Sequence, residues 1–340
     1  MLLGFGALAT GVAARRPDGT VVDLSGLGAA YRRRDLMEVL AAGPAEWARM
    51  RAAAADAPVA DPEAAAAPFV PVLPGDYTDF YACEHHVEAM GRRFRPGQPP
   101  LPAAWRHVPQ GYTGRSSTVV VSGTPITRPA GVRPGEPPTF GPSRRLDVEV
   151  ELGFVVGVGN PVGSTVPAAA AETRLFGAVL LNDWSARDIQ AFEAVPLGPH
   201  IGKSFATSIS PWVVPLDLLP RCRAPGTGVP PAPYLRDPAG RGVAVDLALT
   251  VDGHAVARTS SRTLNWTPGQ LLAQVTVGGA AARPGDLIGT GTISGPLPGS
   301  EGSLFEADLP WLADGSEATI TSPQLGCVTG RMDPCPTTDA

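Results

Sequence analysis

A mainly β, α+β fold is predicted by three features of the chain. Turn residues cluster between short apolar runs, β-branched segments recur over most of the length, and helical periodicity is scarce. Forty glycines and thirty-eight prolines in 340 residues are high for a globular protein, but they fall between apolar runs, as turn residues do. A hydrophobic content of 44% is ample for a substantial core, and the length suits roughly two domains, or one large domain with an appendage. The formal charge of −5 and the pI near 5.6, with Arg32-Arg33-Arg34 as the densest basic run, argue against nucleic acid as a partner.

Taken in order, the run Met1 to Thr10 is apolar, but it lacks a basic start and its arginines come afterwards, so it reads as a leading strand and not as a signal peptide. Residues 3–24 read as a pair of short strands turning at Pro17-Asp18-Gly19. Leu36 to Ala55 has the Ala, Leu, Glu and Arg content of helix. The alanine-rich run Ala52 to Pro68 reads as a surface helix or linker, and Phe69-Val70-Pro71-Val72-Leu73-Pro74 then turns extended. A boundary near residue 66 divides the chain into a small N-terminal β domain with helix and linker, 1–66, and a larger unit, 67–340. In that unit strands are predicted at Ser117–Ser122, Leu146–Val158, Phe176–Leu181, Trp212–Val214, Val243–Val251 and Asp286–Gly289. Helices are predicted at Ala168–Leu175 and Pro268–Val277, the second opened by Thr267-Pro268 in capping order. No segment carries the eighteen or so uncharged apolar residues that span a bilayer. Cys83, Cys222, Cys327 and Cys335 form neither a CxxC pair nor a zinc spacing, which fits reduced thiols in a cytoplasm.

Chemistry concentrates in a few blocks. In Asp147-Val148-Glu149-Val150-Glu151 the acids and valines alternate, so on a strand all three carboxylates project from one face and both valines from the other. Acids two residues apart can share a hard cation such as magnesium or calcium, which takes oxygen ligands. The same alternation also fits a solvent-facing strand with an acidic polar side. Gly75 to Tyr81 holds Asp76, Asp79, Tyr77 and Tyr81, and the adjacent His85 and His86 follow, two of only five histidines. Leu180 to Gln190 is an apolar run ending at Asp183, then a turn in which Arg187 and Gln190, three residues apart, share a face if it is helical. Lys203 is the single lysine among 27 basic residues. That points either to a need for a compact ammonium at this spot or to a GC-rich genome with one surviving lysine. Gly289-Thr290-Gly291-Thr292 is a glycine-flanked hydroxyl loop, and Glu306 lies beyond it.

Eight colinear blocks from about residue 70 to 306 resemble the fumarylacetoacetate hydrolase family. They are Gly75–Tyr81, Gly111–Ser117 with Val119–Pro125, Asp147–Glu151, Asn182–Gln190, Val195–Pro199, Gly202–Phe205, Ser210–Pro215 and Gly291–Pro296. Asn182-Asp183-Trp184-Ser185-Ala186-Arg187-Asp188-Ile189-Gln190 points to the family at large, and the blocks around Tyr81, Tyr112 and Thr292 point to its fumarylacetoacetase branch. The resemblance implies a mixed β-sandwich roll as catalytic domain behind a small N-terminal β-barrel-like domain. It implies one divalent metal, Mg2+ or Ca2+, on Asp79, Glu149, Glu151 and Asp183. It implies His86 as general base oriented by Glu306, with His85 as structural neighbour, and Arg187, Gln190 and Lys203 as stabilisers of an oxyanion. Tyr81, Arg95, Tyr112, Gln190 and Thr292 are implied as substrate contacts. The implied activity is metal-dependent hydrolysis of a carbon-carbon bond in a β-diketo acid, fumarylacetoacetate to fumarate and acetoacetate, as in tyrosine catabolism, by a cytoplasmic homodimer. Asp147 is left as a neighbour of the ligands.

The chain also departs from the family pattern. Cys83-Glu84 stands where a serine and an arginine are usual, Val87-Glu88-Ala89 where Ala-Thr-Asn is usual, and Ala206 replaces a glycine. These changes suggest an altered wall near the base and leave open a related acylpyruvate hydrolase, decarboxylase or tautomerase. The C-terminal segment 315–340 is shorter than the family's closing strands and echoes them only in Gly326-Cys327 and Gly330-Arg331.

Overall fold

The computed structural model describes residues 1–336; the last four residues of the segment 315–340 lie outside them. Two antiparallel strands, Val150–Val156 and Leu175–Asp183, form the centre of the fold, with Gly153 opposite Val179. They belong to an eight-stranded mixed sheet. Its order is Gly111–Gly114, Tyr77–Phe80, Leu287–Gly289, Val150–Val156, Leu175–Asp183, Thr207–Ile209 and Val119–Val121, with Val214–Pro215 joined to the side of Leu175–Asp183. A five-stranded sheet runs His254–Ser260, Asp246–Val251, Glu317–Ser322, Gly326–Asp333 and Ile126–Thr127. Side chains of both sheets share one core. Val150, Leu152, Phe154 and Leu180 meet Leu249, Ile320, Val328 and Met332 there, each fully buried aliphatic contributing on the order of 1.5–3 kcal/mol. The result is a mixed, sheet-rich α+β fold.

Because side chains alternate along a strand, the odd-numbered residues of the two central strands face the other way. Val155, Val179 and Leu181 pack against Phe5, Val12, Leu40 and Met50 of the N-terminal segment. Further along that same face stand Glu151 and Asp183, both fully buried. One sheet face is therefore apolar where the N-terminal segment covers it and acidic where it lines a cleft.

Several elements differ from what the sequence predicts. The N-terminal segment holds three strands, Gly4–Leu8, Gly11–Arg15 and Val21–Asp23, because an extra reversal occurs at Ala9-Thr10; Pro17-Asp18-Gly19 turns the second into the third. Where a barrel-like unit is expected, this sheet is an open ladder, and no pairing among the described residues joins Val21–Asp23 to Gly4–Leu8. The helix expected over Leu36–Ala55 is two, Met37–Ala41 and Pro44–Ala53. Gly43, at a φ of 86°, turns the chain between them, and Pro44 at the first helical position starts the second. The strand expected over Leu146–Val158 is broken: Leu146–Asp147 pairs with Ser185–Ala186, and Val150–Val156 enters the large sheet. The C-terminal segment, despite its faint echoes, forms a complete hairpin of Glu317–Ser322 and Gly326–Asp333.

The helix Glu84–Phe94 has no counterpart among the elements expected from the sequence. Its preceding residue, Cys83, makes no side-chain cap, and prolines follow closely. The available signal is its buried stripe of His86, Val87, Met90 and Gly91, spaced as helix neighbours are. By contrast Pro268–Thr276 begins where expected, with Thr267 and Gln270 forming a reciprocal capping box. All four cysteines are free, and no helix among the described residues is long and apolar enough to cross a membrane.

Candidate active site

Strand register assembles the acidic cluster. Asp79 on Tyr77–Phe80 stands opposite Gly289 of Leu287–Gly289, which in turn pairs with Val150–Val156 through Gly153. Asp183 closes Leu175–Asp183, its N–H donating to Glu149 O at 3.4 Å. Asp79, Glu151 and Asp183 each offer a carboxylate oxygen within 4.8 Å of the others, and all three are buried. The Gly291 N–H donates to Asp79 Oδ1 at 3.2 Å and to Glu151 Oε2 at 3.1 Å. Gly291 has a φ of +72°, and a Cβ there would lie 2.0 Å from Phe80 O, so this bridging amide requires glycine.

These three carboxyls resist ionisation. Burial, then the charge of Asp183, pushes Asp79 up to about 7. Burial and the charges of Asp79 and Asp183 hold Glu151 well above the usual range, and burial raises Asp183 too. Glu151 Oε1 has no hydrogen-bond partner. Buried, converging hard oxygens that repel one another, one of them unpartnered, fit a divalent cation.

Glu149 has a different environment. Its carboxylate accepts from Arg187 Nη2 at 2.7 Å and contacts the ammonium of Lys203. Burial alone would raise its pKa, but Arg187, Lys203 and His86 outweigh that and hold it below the ordinary range. Lys203 also contacts Asp183, and these two acids overcome burial and keep its ammonium charged. The turn Ile201–Ser204 brings Lys203 in because Gly202 packs on the helix Arg187–Glu193; a Cβ there would lie 2.7 Å from Gln190 N. Arg187 Nε donates to Asp147 Oδ2 at 2.8 Å, and its Nη1 to Gln190 Oε1 at 3.2 Å.

His86 enters from the first turn of Glu84–Phe94. Its Nδ1 lies 2.8 Å from Glu306 Oε2, with the N–H aimed off the ideal line, and Nε2 lies 3.8 Å from Glu149 Oε1. Glu306 accepts from Ser294 Oγ at 2.9 Å and from Ser303 Oγ at 3.1 Å. Burial would raise its pKa, yet His86 and these hydroxyls bring it below the usual range. Such an arrangement can hold the imidazole in one orientation, with Nδ1 toward Glu306 and Nε2 on the side of Glu149.

One cavity of about 630 Å³ gathers most of the residues singled out in the sequence. Asp79, Tyr81, His86, Arg95, Tyr112, Glu149, Glu151, Arg187, Gln190, Lys203 and Thr292 all line it. Asp183 and Glu306 stand behind its wall, Asp183 accepting from Tyr112 Oη at 2.9 Å. Thr292 Oγ1 is buried without a partner. Arg95 Nη2 donates to Pro100 O at 2.7 Å. His85 is exposed on the far side of its helix. Cys83, Glu84, Val87, Glu88, Ala89 and Ala206 do not line the cavity: Val87 and Cys83 belong to the core, and Glu84 pairs with Arg106. Sequence reasoning missed Ser294 and Ser303, whose hydroxyls grip Glu306. The only trace of them was their glycine-rich, serine-containing stretch before Glu306.

Comparison with known proteins gives consistent matches. The family model described as fumarylacetoacetate (FAA) hydrolase C-terminal matches residues 77–333. A fumarylacetoacetase of Arabidopsis thaliana is 42% identical over 305 residues, covering 78% of this chain and 71% of its own. That of Bos taurus is 46% identical over 260 residues, covering 73% and 62%, and that of Homo sapiens 41% over 286, covering 76% and 68%. The chain thus spans about two thirds of the length of these relatives. Among solved structures, a fumarylacetoacetate hydrolase from psychrophilic Exiguobacterium antarcticum has a TM-score of 0.66 at 18% identity, covering 98% of this chain and 99% of its own. Fumarylpyruvate hydrolase from Pseudomonas aeruginosa, solved with Mn2+ and pyruvate, has a TM-score of 0.53 at 20% identity, covering 78% and 91%. At these identities the structural likeness is one of fold.

Proposed function

Since the chain belongs to the fumarylacetoacetate hydrolase family, we propose that it is a carbon-carbon bond hydrolase that converts fumarylacetoacetate to fumarate and acetoacetate, a reaction of tyrosine catabolism. The observation that carries this reading is one cavity whose wall brings together His86, backed by Glu306, with Arg187, Gln190 and Lys203 and with Asp79 and Glu151 of the carboxylate cluster. The departures from the family pattern lie away from the cavity wall, which favours the branch's own substrate over a related acylpyruvate.

In this reading His86 Nε2 takes a proton from water, Glu306 holding the ring through Nδ1, and the oxygen attacks the carbonyl beside the bond to be cleaved. The tetrahedral alkoxide accepts hydrogen bonds from Arg187, Gln190 and Lys203, donors already in place before it forms. Its collapse restores the carbonyl as fumarate's carboxyl and sends the bonding pair onto the acetoacetate carbon, which the proton on His86 then quenches. Asp79, Glu151 and Asp183, with Glu149 beside them, would hold a divalent cation, Mg2+ or Ca2+, which would supply Lewis acidity there when bound. Arg95, with Tyr81 and Tyr112, suits the carboxylate end of a diketo acid, and the unpartnered Thr292 hydroxyl is free to bind it.

The same reading makes the protein a cytoplasmic homodimer. It also divides the chain at residue 66, into a small N-terminal unit and a catalytic unit, 67–340. The start of the family match at residue 77 supports that division.

The test is to give the purified protein fumarylacetoacetate with magnesium or with chelator and to follow the absorbance of the enolised diketone. Metal-dependent decay with release of fumarate and acetoacetate is expected. No decay, with carbon dioxide released from an oxaloacetate-type substrate, would replace the hydrolase by a decarboxylase.

A further inference from the structure

Asp147 is fully buried and does not itself line the cavity, yet four hydrogen bonds converge on its carboxylate. Oδ2 accepts from Arg187 Nε at 2.8 Å and lies 2.7 Å from Arg187 Nη2. Oδ1 accepts the backbone N–H of Val148 at 2.9 Å, of Leu304 at 2.8 Å and of Phe305 at 3.4 Å. One oxygen thus grips the guanidinium and the other grips the segment that leads directly into Glu306. The guanidinium is fixed from its other sides by Glu149 and by the Phe305 ring, whose centroid lies 5.8 Å from Arg187 Cζ. A flexible arginine at a cavity wall loses its aim unless something holds the base of its fork; Asp147 is the group that does so here.

We propose that Asp147 is a positioning residue: it fixes the Arg187 guanidinium toward the oxyanion and ties it to the Glu306 segment, so that the base arm and the oxyanion arm of the site keep one spacing. The catalytic part of this inference rests on the hydrolase reading above; the anchoring of Arg187 does not. Misplacement of a stabilising group by about an ångström can cost about 10²-fold in rate. Asp147→Asn keeps an oxygen for the Leu304 amide but removes the charge that holds Nε–H. Arg187→Lys keeps a positive charge but has no Nε–H to hold.

The experiment measures kcat and KM for fumarylacetoacetate with magnesium in the wild type, Asp147→Asn, Arg187→Lys and the double variant. It adds the melting temperature and calorimetric Mg2+ binding of each, and hydrogen exchange of the Arg187 Nε–H by NMR in the wild type and Asp147→Asn. Expected are a roughly 10- to 100-fold fall in kcat with little change in KM for Asp147→Asn, no further fall when it is added to Arg187→Lys, retained Mg2+ binding, and faster exchange at Arg187 Nε–H. Wild-type kcat in Asp147→Asn, or a fall of the same size in the Arg187→Lys background, overturns the proposal. If Asp147→Asn does not fold, Arg187→Lys alone decides, because wild-type kcat there means that the held fork is not needed. If the wild type does not hydrolyse the substrate, the hydrolase reading has failed. The exchange measurement then still decides the anchoring: unchanged exchange in Asp147→Asn would refute it.

Discussion

His86 lies between two carboxylates, with Nδ1 2.8 Å from Glu306 Oε2 and Nε2 3.8 Å from Glu149 Oε1. The nearer acid is gripped by two serine hydroxyls and the farther one by Arg187 and Lys203. The ring is therefore anchored on one side and open toward the cavity on the other. Replacing His86 by Ala is expected to leave folding and metal binding intact and to lower kcat by about 10²- to 10⁴-fold. Comparable rates in the variant and the wild type would remove His86 from the reaction.

Glu306→Gln keeps the size of the side chain and removes the charge that steadies the ring. Turnover should drop by about 10²-fold or more, with KM little changed. The variant also carries a stability signature, because Glu306 has a folded pKa below its unfolded value near 4.3. Its contribution is present above the unfolded pKa and is lost as pH falls through the lowered folded one. Thermal melts of wild type and Glu306→Gln should thus converge on acidification below about pH 4; a constant gap across that range would contradict this.

Removal of one acid from the cluster should move metal affinity and metal-free stability in opposite directions. In Glu151→Gln the mutual repulsion with Asp79 and Asp183 is relieved, so the chelated variant is expected to melt no lower than the chelated wild type. The stabilisation on adding Mg2+, about 2.7 kcal/mol at a hundredfold excess over Kd, should disappear in the variant. Calorimetric melts with and without metal read both effects.

Gly291→Ala is expected to be severe despite adding a single methyl group. It forces a left-handed backbone on alanine and drives Cβ to 2.0 Å from Phe80 O. The loop must shift, and the bridging amide between Asp79 and Glu151 shifts with it. A loss of about 2 kcal/mol or more in unfolding free energy, together with weaker metal binding, is the expected result. A variant with wild-type stability would show that the loop relaxes freely.

Some of this site was legible in the residues themselves. Alternation in Asp147-Val148-Glu149-Val150-Glu151 correctly separates faces: the valines enter the core while the acids turn toward Arg187, Lys203 and Gly291. The helix Pro268–Thr276 was legible because its cap is local, Thr267 and Gln270 lying three residues apart. The helix Glu84–Phe94 was not, since its stability comes from the buried stripe and not from any cap. The hairpin Glu317–Ser322 with Gly326–Asp333 was hidden as well, its support coming from Asp246–Val251 and Ile126–Thr127 far away in the chain.

By itself, then, the sequence determined a β-rich fold, the family, and which residue types stand ready for metal, proton transfer and oxyanion. Tertiary structure alone decided how the three acids of one short segment divide. Asp147 meets Arg187 forty residues away and Leu304 one hundred and fifty-seven away. Glu149 meets both Arg187 and Lys203, while Glu151 joins Asp79 and Asp183 in a cluster of like charge. Periodicity along a chain sets which face a side chain takes. Which charge it meets across that face depends on strand register and loop closure between distant segments, and that encounter sets whether a carboxyl there is held ionised, paired with an arginine or made ready for a cation.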